Sequence, residues 1–570
     1  MKYIEVNHSK KHYVIIFFIC LFFSIICSRL VQLQVIQHQR FVSISEKNFL
    51  RFKTIPAPRG NILDCNGAPL ATNQPVTRLI WQGTGNHSLQ NKQKEILQKI
   101  SSILDIDLPE RAIRHAEKFS KTAVIAEKIS SNELCFIAEQ CSDIPNITFE
   151  TSFERFYPYN TLACHILGYL GDAHIITQGK MGLEKLFEDV LKGEPGIYSQ
   201  QINSFGTPLE SKIVKTQLSG QDIVTTIDLP LQKIAEQAMK TQQKGTLILF
   251  NPQTGRIPAL VSLPNFEPSI LSQKLSHQQW QEIQKNKPFI NKAFNASYPP
   301  ASIFKLVTIA AALEEELETC DSEFTCKGYT KFKNRKYFCN KHSGHGPISL
   351  HECLAFSCNI PCYDIAKKIP IDTLASYAYK LGLGNKTDAI FTEKYGLIPT
   401  NEWKIANKGE RWWQGETLSA SIGQSFLLTT PIQIACMISA IFEGYLVKPR
   451  ILNTQEITKT PLEGISNETL EFLKQCMKSV ITTGTGKRIN KFSSLTIFAK
   501  TGTAQTIGRE KRQRSDSNHK EHAWFVSYFY TNESTPLVLV ILLENVGGSR
   551  TAANVAKEFF TQYTKLIEKG

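Results

Sequence analysis

The sequence predicts an α+β protein with one membrane-spanning helix, a second module after it, and a C-terminal domain in which helices flank an antiparallel sheet. Three observations support this prediction. The 570 residues exceed what one compact core usually holds. A single uncharged apolar run lies near the N-terminus. Strand patterns stand at both ends of the C-terminal part with helical patterns between them, which is typical of a sheet assembled from both ends of a domain.

The overall composition excludes two broad classes of protein. Hydrophobic residues make up 42% and charged residues 20% of the chain, near the averages of globular proteins, so neither wholesale disorder nor a polytopic membrane protein is indicated. The net charge of +14 suits anionic partners such as lipid headgroups, and it equally suits an ordinary solvated surface. No nucleic-acid-binding module accompanies the charge, so we expect no nucleic-acid partner.

The apolar run predicts a membrane anchor. Tyr13–Ser28 contains sixteen residues without a charge, and apolar residues continue beyond Arg29. Residues 13–35 therefore predict one transmembrane helix, because a bilayer core requires about 20 residues and Arg29 can reach the interface. Two lysines precede the run, which predicts a cytoplasmic tail at residues 1–12 and an extracytoplasmic remainder. A cleaved signal peptide is the alternative, but no A-x-A-like site follows.

Residues 36–221 predict a module of short strands with an inserted lobe. Asp64–Gly67 is typical of a turn between two extended segments, because Asn-Gly favours positive φ. Helical patterns at Gln90–Leu104 and Pro109–Phe119 alternate with the strand pattern Thr122–Ile125. We therefore expect an α/β lobe at about residues 84–150.

Residues 222–570 predict the main α+β domain. Asp228 is a helix cap with a proline in the first turn after it. The predicted C-terminal helix is Thr551–Ile567. The predicted strands are Ile223–Ile227, Thr246–Phe250, Ile257–Ser262, Leu495–Ala499, Trp524–Phe529 and Leu537–Leu543.

A serine and a lysine form the first candidate catalytic motif. Pro299 and Pro300 precede an apolar-periodic segment, so a helix begins near Ser302. Lys305 is three residues further on and shares a helical face with that serine. A lysine removed from water can accept the proton of a serine nucleophile. A cap serine beside a surface lysine is the alternative for this short pattern alone.

Two further motifs favour the catalytic interpretation. Ser357-Cys358-Asn359 lies in a helical context, and Lys500-Thr501-Gly502-Thr503 lies at the end of an apolar strand. An S-x-x-K motif followed by a serine–asparagine triplet and K-T-G is the signature of penicillin-binding proteins and class A β-lactamases. The ordered triple therefore indicates a serine acyl-transfer enzyme.

From about Arg59 onward the sequence resembles the class B penicillin-binding proteins. The other tracts that carry the resemblance are Arg59-Gly60, Arg155-x-Tyr157-Pro158, Trp412–Thr417 and Ile422–Gln424. The last two resemble the elongation-type branch more than the division type. The resemblance implies a serine β-lactamase/transpeptidase-like domain at 222–570 and an elongated, dimerisation-type pedestal at 36–221. Ala301 stands where the family often has Gly.

The resemblance also implies a role for each motif residue. Ser302 would attack the penultimate D-alanine carbonyl of a peptidoglycan stem peptide, and a neighbouring amine would resolve the ester into a crosslink. Lys305 would deprotonate Ser302, while Ser357 and Lys500 would relay a proton to the leaving group. The remaining groups would bind the substrate backbone, its terminal carboxylate and the oxyanion: Asn359, Thr501, Gly502 and Thr503. β-Lactams would acylate the same serine.

The resemblance implies partners and a location as well. Class B relatives pair with membrane glycosyltransferases of the SEDS family and with the elongation or division machinery. The expected location is the cell inner membrane, crossed once, with the catalytic domain in the periplasm. A division-type transpeptidase and a non-catalytic activator of the glycosyltransferase are the alternatives, and a D,D-carboxypeptidase side activity is compatible with the motifs.

A cysteine-rich segment predicts a zinc site. Cys326, Cys339, His345 and Cys358 offer three thiolates and an imidazole, which suit tetrahedral zinc. Elongation-type relatives are similar in carrying a metal site in this region. A disulfide or free buried thiols are the alternatives, and the rival ligands are His342, Cys353 and Cys320. Zinc here would be structural, because the acyl-transfer chemistry needs no cofactor.

Overall fold

The computed structural model describes residues 8–140, 146–171, 178–202, 208–272, 275–389, 392–505, 520–531 and 534–568. The chain folds into two compact units. The first comprises residues 1–59, 73–154 and 192–220, and the second comprises residues 60–72, 155–191 and 221–570. The first seven residues of the expected tail and most of the polar segment after the K-T-G motif lie outside the described residues.

The strands of the described residues range in length from two to fourteen residues. In chain order they are β1 Leu50–Ile55, β2 Ile62–Leu63, β3 Pro69–Gln82, β4 Thr122–Ile129, β5 Ile147–Phe156, β6 Leu170–Gly171, β7 Gln178–Gly179, β8 Gly196–Ile202, β9 Pro208–Lys215, β10 Ile223–Val224, β11 Gly245–Phe250, β12 Ala259–Leu263, β13 Glu323–Cys326, β14 Tyr329–Phe332, β15 Arg335–Phe338, β16 Gly346–Ser349, β17 Tyr445–Val447, β18 Lys459–Pro461, β19 Thr496–Ala504, β20 His522–Tyr530 and β21 Leu537–Leu543.

The α-helices concentrate between β12 and β19. In chain order they are α1 His8–Val31, α2 His38–Phe49, α3 Asn91–Leu104, α4 Glu110–Lys118, α5 Ser131–Gln140, α6 Cys164–Leu167, α7 Gly182–Leu186, α8 Glu188–Leu191, α9 Leu229–Met239, α10 Pro268–Leu271, α11 His277–Lys285, α12 Lys292–Asn295, α13 Lys305–Glu314, α14 Leu350–Ala355, α15 Ile360–Ala366, α16 Ile371–Lys380, α17 Asn401–Lys408, α18 Gln414–Ala420, α19 Pro431–Glu443, α20 Asn467–Thr482 and α21 Arg550–Ile567.

The first unit carries the candidate membrane helix and the lobe. Within the described residues, His12–Ile36 is long and apolar enough to cross a membrane. A separate antiparallel sheet has the strand order β1-β8-β9. In the lobe, β3 pairs with β4, and Trp81 packs among the lobe helices while its indole N–H donates to Glu117 at 2.9 Å. The residues of the cluster that contains Trp81, which include Leu79 of β3 together with residues of α3, α4, β4 and α5, form a separate hydrophobic core.

The second unit is built on an antiparallel sheet with the strand order β12-β11-β21-β20-β19. Along β11, Leu247 and Leu249 face a core that contains α9 and α21, while Ile248 and Phe250 face the core that contains α13 and α19. This alternation follows from the two-residue period of a strand. Helices therefore cover both faces of the sheet, and the predicted fold class is confirmed.

Several predicted strands differ in length from the observed ones, and two of these differences have a clear cause in the pairing. The strand predicted at Ile223–Ile227 stops at Val224, because the amide of Thr226 instead donates to the carbonyl of Ile451 at 2.7 Å. The strand predicted to end at Ala499 continues to Ala504, since pairing with β20 extends through the register pair Ala504 and His522. The K-T-G motif consequently lies within β19 rather than after it.

Candidate active site

Ser302 lies on a tight turn that precedes α13. The 3₁₀ turn Ala301–Ile303 leads into the helix that begins at Lys305, as the two prolines predict. Ala301 has a φ of +51°, a region that disfavours residues with a Cβ and favours glycine. The amide of Ala301 donates to the carbonyl of Gly423 at 3.0 Å. Ser302 itself is half-buried.

Strand β19 packs against this turn at Gly502. A Cβ added at Gly502 would lie 3.4 Å from the Pro300 carbonyl and 3.5 Å from the Ala301 Cβ. The indole N–H of Trp524, which is paired with Gly502 across the sheet, donates to the Pro299 carbonyl at 3.0 Å. These contacts bring the K-T-G motif beside Ser302, although the two are far apart in sequence.

Lys305 joins the first motif to the second. Its ammonium is fully buried and donates to the carbonyls of Ser357 and Cys358 at 2.7 and 2.9 Å and to Asn359 Oδ1 at 2.8 Å. The Ser357 hydroxyl is a further 3.4 Å contact of the same nitrogen. Three acceptors match the three donors of an ammonium group. Lys305 therefore fixes the position of the Ser357–Asn359 loop relative to α13.

The Ser357–Asn359 loop connects α14 to α15. Ser357 has a φ of +56°, which reverses the chain between the two helices. The end of α14 just before this loop is tightly packed, because a Cβ added at Gly484 would lie 2.1 Å from the Ala355 carbonyl. Asn359 also donates from Nδ2 to the Phe338 carbonyl at 3.0 Å. The side-chain amide of Asn359 is thus oriented by one hydrogen bond at Oδ1 and one at Nδ2.

Lys500 supplies a second buried amine. Its side chain is fully buried on β19, and the pKa of Lys500 falls from 10.5 to about 7, first because burial disfavours the charged form and second because the positive charge of Lys305 is close. The site consequently holds a neutral amine near pH 7. A neutral amine is what a proton-accepting role requires.

The hydroxyls of the K-T-G motif are held by neighbouring loops. Thr501 Oγ1 and Thr485 Oγ1 lie 2.8 Å apart, and the amide of Ser549 donates to Thr503 Oγ1 at 3.1 Å. No sequence motif marks Thr485, since its Gly-Thr-Gly loop has no chemical pattern of its own. Its position becomes evident only when Gly484 is seen packed on α14.

A second group missed from the sequence lies behind the nucleophile turn. Glu544 Oε1 accepts from the Tyr298 hydroxyl at 2.6 Å and from the ammonium of Lys292. His522 packs edge-on to the Tyr298 ring, with 5.6 Å between centroids, and its Nδ1 accepts from the amide of Asn545 at 3.1 Å. Tyr298 and Glu544 are 246 residues apart, so no local pattern connects them.

The cysteine cluster assembles as a compact donor set. The ligand atoms of Cys326, Cys339, His345 and Cys358 all lie within 4.8 Å of one another. The thiols of Cys339 and Cys358 are 3.6 Å apart, and His345 Nδ1 is 3.5 Å from both the Cys326 and Cys339 sulfurs. Two thiolates at about 2.3 Å from a tetrahedral zinc lie about 3.8 Å apart, so the donor set fits that ion.

The rival ligands lie elsewhere in the described chain. The sulfur of Cys353 is 3.9 Å from that of Cys362, and the ring of His342 packs on Phe338. The described cysteines of the cluster are free thiols rather than disulfides. The hydrogen bond between Cys339 and Cys358 lowers the pKa of the Cys339 thiol and raises that of Cys358, so without a metal this pair holds one thiolate on Cys339.

Comparison with known proteins identifies the family. The penicillin-binding protein transpeptidase domain matches residues 245–564, and the penicillin-binding protein dimerisation domain matches residues 54–225. The first match alone covers more than half of the chain, so the chain belongs to the penicillin-binding protein transpeptidases. The dimerisation domain in front of it defines the class B arrangement.

Individual relatives define the branch. The chain is 29% identical to the peptidoglycan D,D-transpeptidase MrdA of Acinetobacter baumannii, over 97% of this chain and 86% of that protein. A solved peptidoglycan synthase complex contains a chain with 28% identity and a TM-score of 0.75, with 98% of each chain covered. Penicillin-binding protein 2 of Helicobacter pylori, solved in complex with MreC, has the same fold, with a TM-score of 0.77 at 24% identity over 91% of this chain and 99% of that one. The similarity is to elongation-type transpeptidases.

Proposed function

We propose that this protein crosslinks peptidoglycan stem peptides through an acyl-enzyme on Ser302. The hydroxyl attacks the carbonyl of the penultimate D-alanine, the bond to the terminal D-alanine breaks, and the amine of a second stem peptide then displaces the serine. The observation that supports the proposal most strongly is the ammonium of Lys305, which bonds Ser357 and Asn359 from the helix that begins beside Ser302.

The proton steps are assigned to Lys500 and Ser357. In its neutral form Lys500 accepts the Ser302 proton through the Ser357 hydroxyl, and the same relay then delivers that proton to the leaving amine. Lys305 is not the acceptor in this proposal, although the family resemblance implies that role, because its three N–H donors are already bonded. Lys305 supports this transfer because it orients the Ser357 loop with three hydrogen bonds. The low pKa of Lys500, about 7, means that a proton can be taken up and released at neutral pH.

Substrate binding is assigned to the polar edge of β19 and to Asn359. In this proposal Asn359 hydrogen-bonds the stem-peptide backbone, and Thr501 and Thr503 bind the terminal carboxylate of that peptide. The amides of Ser302 and Thr503 form the oxyanion hole, which stabilises the charge that develops on the attacked carbonyl oxygen. Gly502 permits the close approach of β19 that this arrangement requires.

Crosslink formation tests the proposal directly. The purified full-length protein is incubated with newly polymerised glycan strands, and crosslinked muropeptides are quantified after digestion. Wild type should produce dimeric muropeptides, and Ser302→Ala should produce none above background. Sustained hydrolysis of nitrocefin by the wild type would instead indicate a β-lactamase, and crosslinking by Ser302→Ala would refute the assigned nucleophile.

The membrane location and partners follow from the same proposal. Residues 13–35 anchor the protein in the inner membrane, the pedestal at 36–221 follows, and the transpeptidase domain at 222–570 lies in the periplasm. The partner is a SEDS-family glycosyltransferase within the elongation machinery, and an MreC-like protein is a further candidate because the Helicobacter pylori relative was solved with one. Depletion in the native host should round the cells, whereas filaments would indicate a division role.

A depletion strain also separates the enzyme from a non-catalytic activator. Ser302→Ala should fail to restore cell shape although the protein is present in the membrane at the normal level. Rescue by this variant would show that the chain acts only by activating its glycosyltransferase partner.

We further propose that the cysteine cluster binds one structural zinc ion. The ligands would be Cys326, Cys339, His345 and Cys358, and the ion would stabilise the wall that carries Ser357 and Asn359, because Cys358 lies between them. Elemental analysis of the purified protein should give about one zinc per chain. Cys326→Ser should lower this ratio and the melting temperature, while Cys320→Ser should change neither; a zinc-free wild type would refute the proposal.

A further inference from the structure

A strongly basic hairpin projects beside the candidate active site. Residues 327–341 contain β14, β15 and their connections, and they carry six basic residues and no Asp or Glu. All six are exposed: Lys327, Lys331, Lys333, Arg335, Lys336 and Lys341. We call residues 327–341 the basic hairpin.

The placement of these cations works against the local stability of the hairpin. Lys331 and Lys336 are directly opposite each other across the two strands, and like charges in such a pair are destabilising. Lys333 in the connecting turn has a φ of +49°, where glycine or asparagine is favoured. A hairpin selected only for stability would avoid both features, so the charge requires another explanation.

The basic hairpin is bonded to the wall of the active site. The Phe338 carbonyl accepts from Asn359 Nδ2 at 3.0 Å and from the Tyr363 hydroxyl at 3.3 Å. Asn359 is in turn bonded to Lys305 at 2.8 Å. Two hydrogen bonds therefore connect the hairpin to the buried ammonium of Lys305. An extended ligand that leaves the active site on the side of Asn359 would consequently meet the hairpin.

The outer face of the hairpin combines charge with aromatic surface. The Tyr329 and Phe338 side chains are 40% and 38% exposed, and the ammonium of Lys336 lies 4.8 Å from the centroid of the Tyr329 ring. Lys331 lies on the same strand face as Tyr329, because the two are two positions apart in the strand. Lysines beside exposed aromatic rings suit a ligand that carries carboxylates on a peptide and sugar framework.

We propose that the basic hairpin binds the free carboxylates of peptidoglycan stem peptides and so holds a glycan strand beside the acylation site. This inference rests on the proposed transpeptidase function and adds a polymer-binding surface to it. The contact is electrostatic and lies outside the reacting groups, so it strengthens binding of the polymer without affecting acylation by a small β-lactam.

Charge reversal on the hairpin tests the inference. Full-length K331E/K333E/K336E is compared with K92E/K94E/K99E, which makes the same change in net charge on exposed residues of α3. Co-sedimentation with isolated peptidoglycan sacculi is measured at low and high salt, and acylation by a fluorescent penicillin is measured in parallel. The hairpin variant should lose about tenfold or more in sacculus affinity at low salt and approach wild type at high salt. Its acylation rate and that of the α3 variant should be unchanged.

A single substitution separates binding from folding. K331E places opposite charges across the pair with Lys336, so the hairpin is stabilised while its net charge falls. Sacculus affinity should nevertheless decrease.

Equal losses in the hairpin and α3 variants would show a bulk charge effect and overturn the inference, as would undiminished binding by the hairpin variant. Loss of binding only to vesicles of anionic phospholipid would assign the hairpin to a lipid surface instead. Absence of penicillin acylation in wild type would overturn the transpeptidase proposal, independently of the sacculus result.

Discussion

The pH dependence of Ser302 acylation should reveal the low pKa of the buried amine. With the pKa of Lys500 at about 7, the neutral fraction rises about tenfold between pH 6 and pH 8 and then levels off. A lysine with the ordinary value of 10.5 would give about a hundredfold rise over the same interval without a plateau. The second-order rate constant for fluorescent penicillin should therefore increase through pH 7 and become constant above pH 8.

Two controls make this experiment decisive. His522→Gln should leave the pH profile unchanged, because burial lowers the pKa of His522 below its usual value and its ring is assigned no proton transfer. Circular dichroism across the pH range should show that the fold is retained. A rate that continues to rise tenfold per pH unit up to pH 9 would contradict the lowered pKa of Lys500, and a rate that falls as the pH rises through 7 would contradict a neutral amine as the proton acceptor.

Three substitutions test other parts of the structure. Arg155→Ala removes the partner of Glu184 from an ion pair whose side chains are 2% and 0% exposed. Chemical denaturation should therefore show that the free energy of unfolding falls by about 3–5 kcal/mol, and a fall below about 1 kcal/mol would contradict the pairing. Lys500→Met should raise the free energy of unfolding by an amount of the order of a few kcal/mol below pH 7, because there the lysine is protonated in both states and the buried ammonium destabilises the folded one. The gain should shrink as the pH rises from 7 to 10.5, where the unfolded chain keeps a proton that the folded chain has lost, and a gain independent of pH would be inconsistent with this account. Thr485→Val removes the hydroxyl bonded to Thr501 and should slow acylation by about fivefold with little change in melting temperature, whereas an unchanged rate would remove Thr485 from the site.

The sequence predicts the strands of the main sheet better than their order. Continuous apolar runs such as Leu537–Leu543 are typical of strands buried on both faces, and the structure confirms them. The central place of β21, between β11 and β20, could not be predicted, because it depends on pairings such as Gly245 with Leu543 between opposite ends of the domain. Local patterns contain no information about such pairings.

The residues of the candidate site also fall into two groups, those that a local sequence motif marks and those that only the tertiary structure brings together. Ser302, Lys305, Asn359 and Lys500 were found from motifs, because short spacings within one element are visible in a sequence. The Tyr298–Glu544 bond was not, since neither residue is unusual in its own segment. The catalytic roles and the zinc site stay predictions that the experiments above address.

The position of the penicillin adduct along the chain is the most direct test of Ser302 as the acylated nucleophile. The full-length protein is treated with a fluorescent penicillin, and the labelled peptide is identified by mass spectrometry beside Ser302→Ala and the matched control Ser297→Ala. If Ser302 is the nucleophile, we expect one adduct, on Ser302, that is present in wild type and Ser297→Ala and absent from Ser302→Ala. Label on another residue, or label retained by Ser302→Ala, would contradict it.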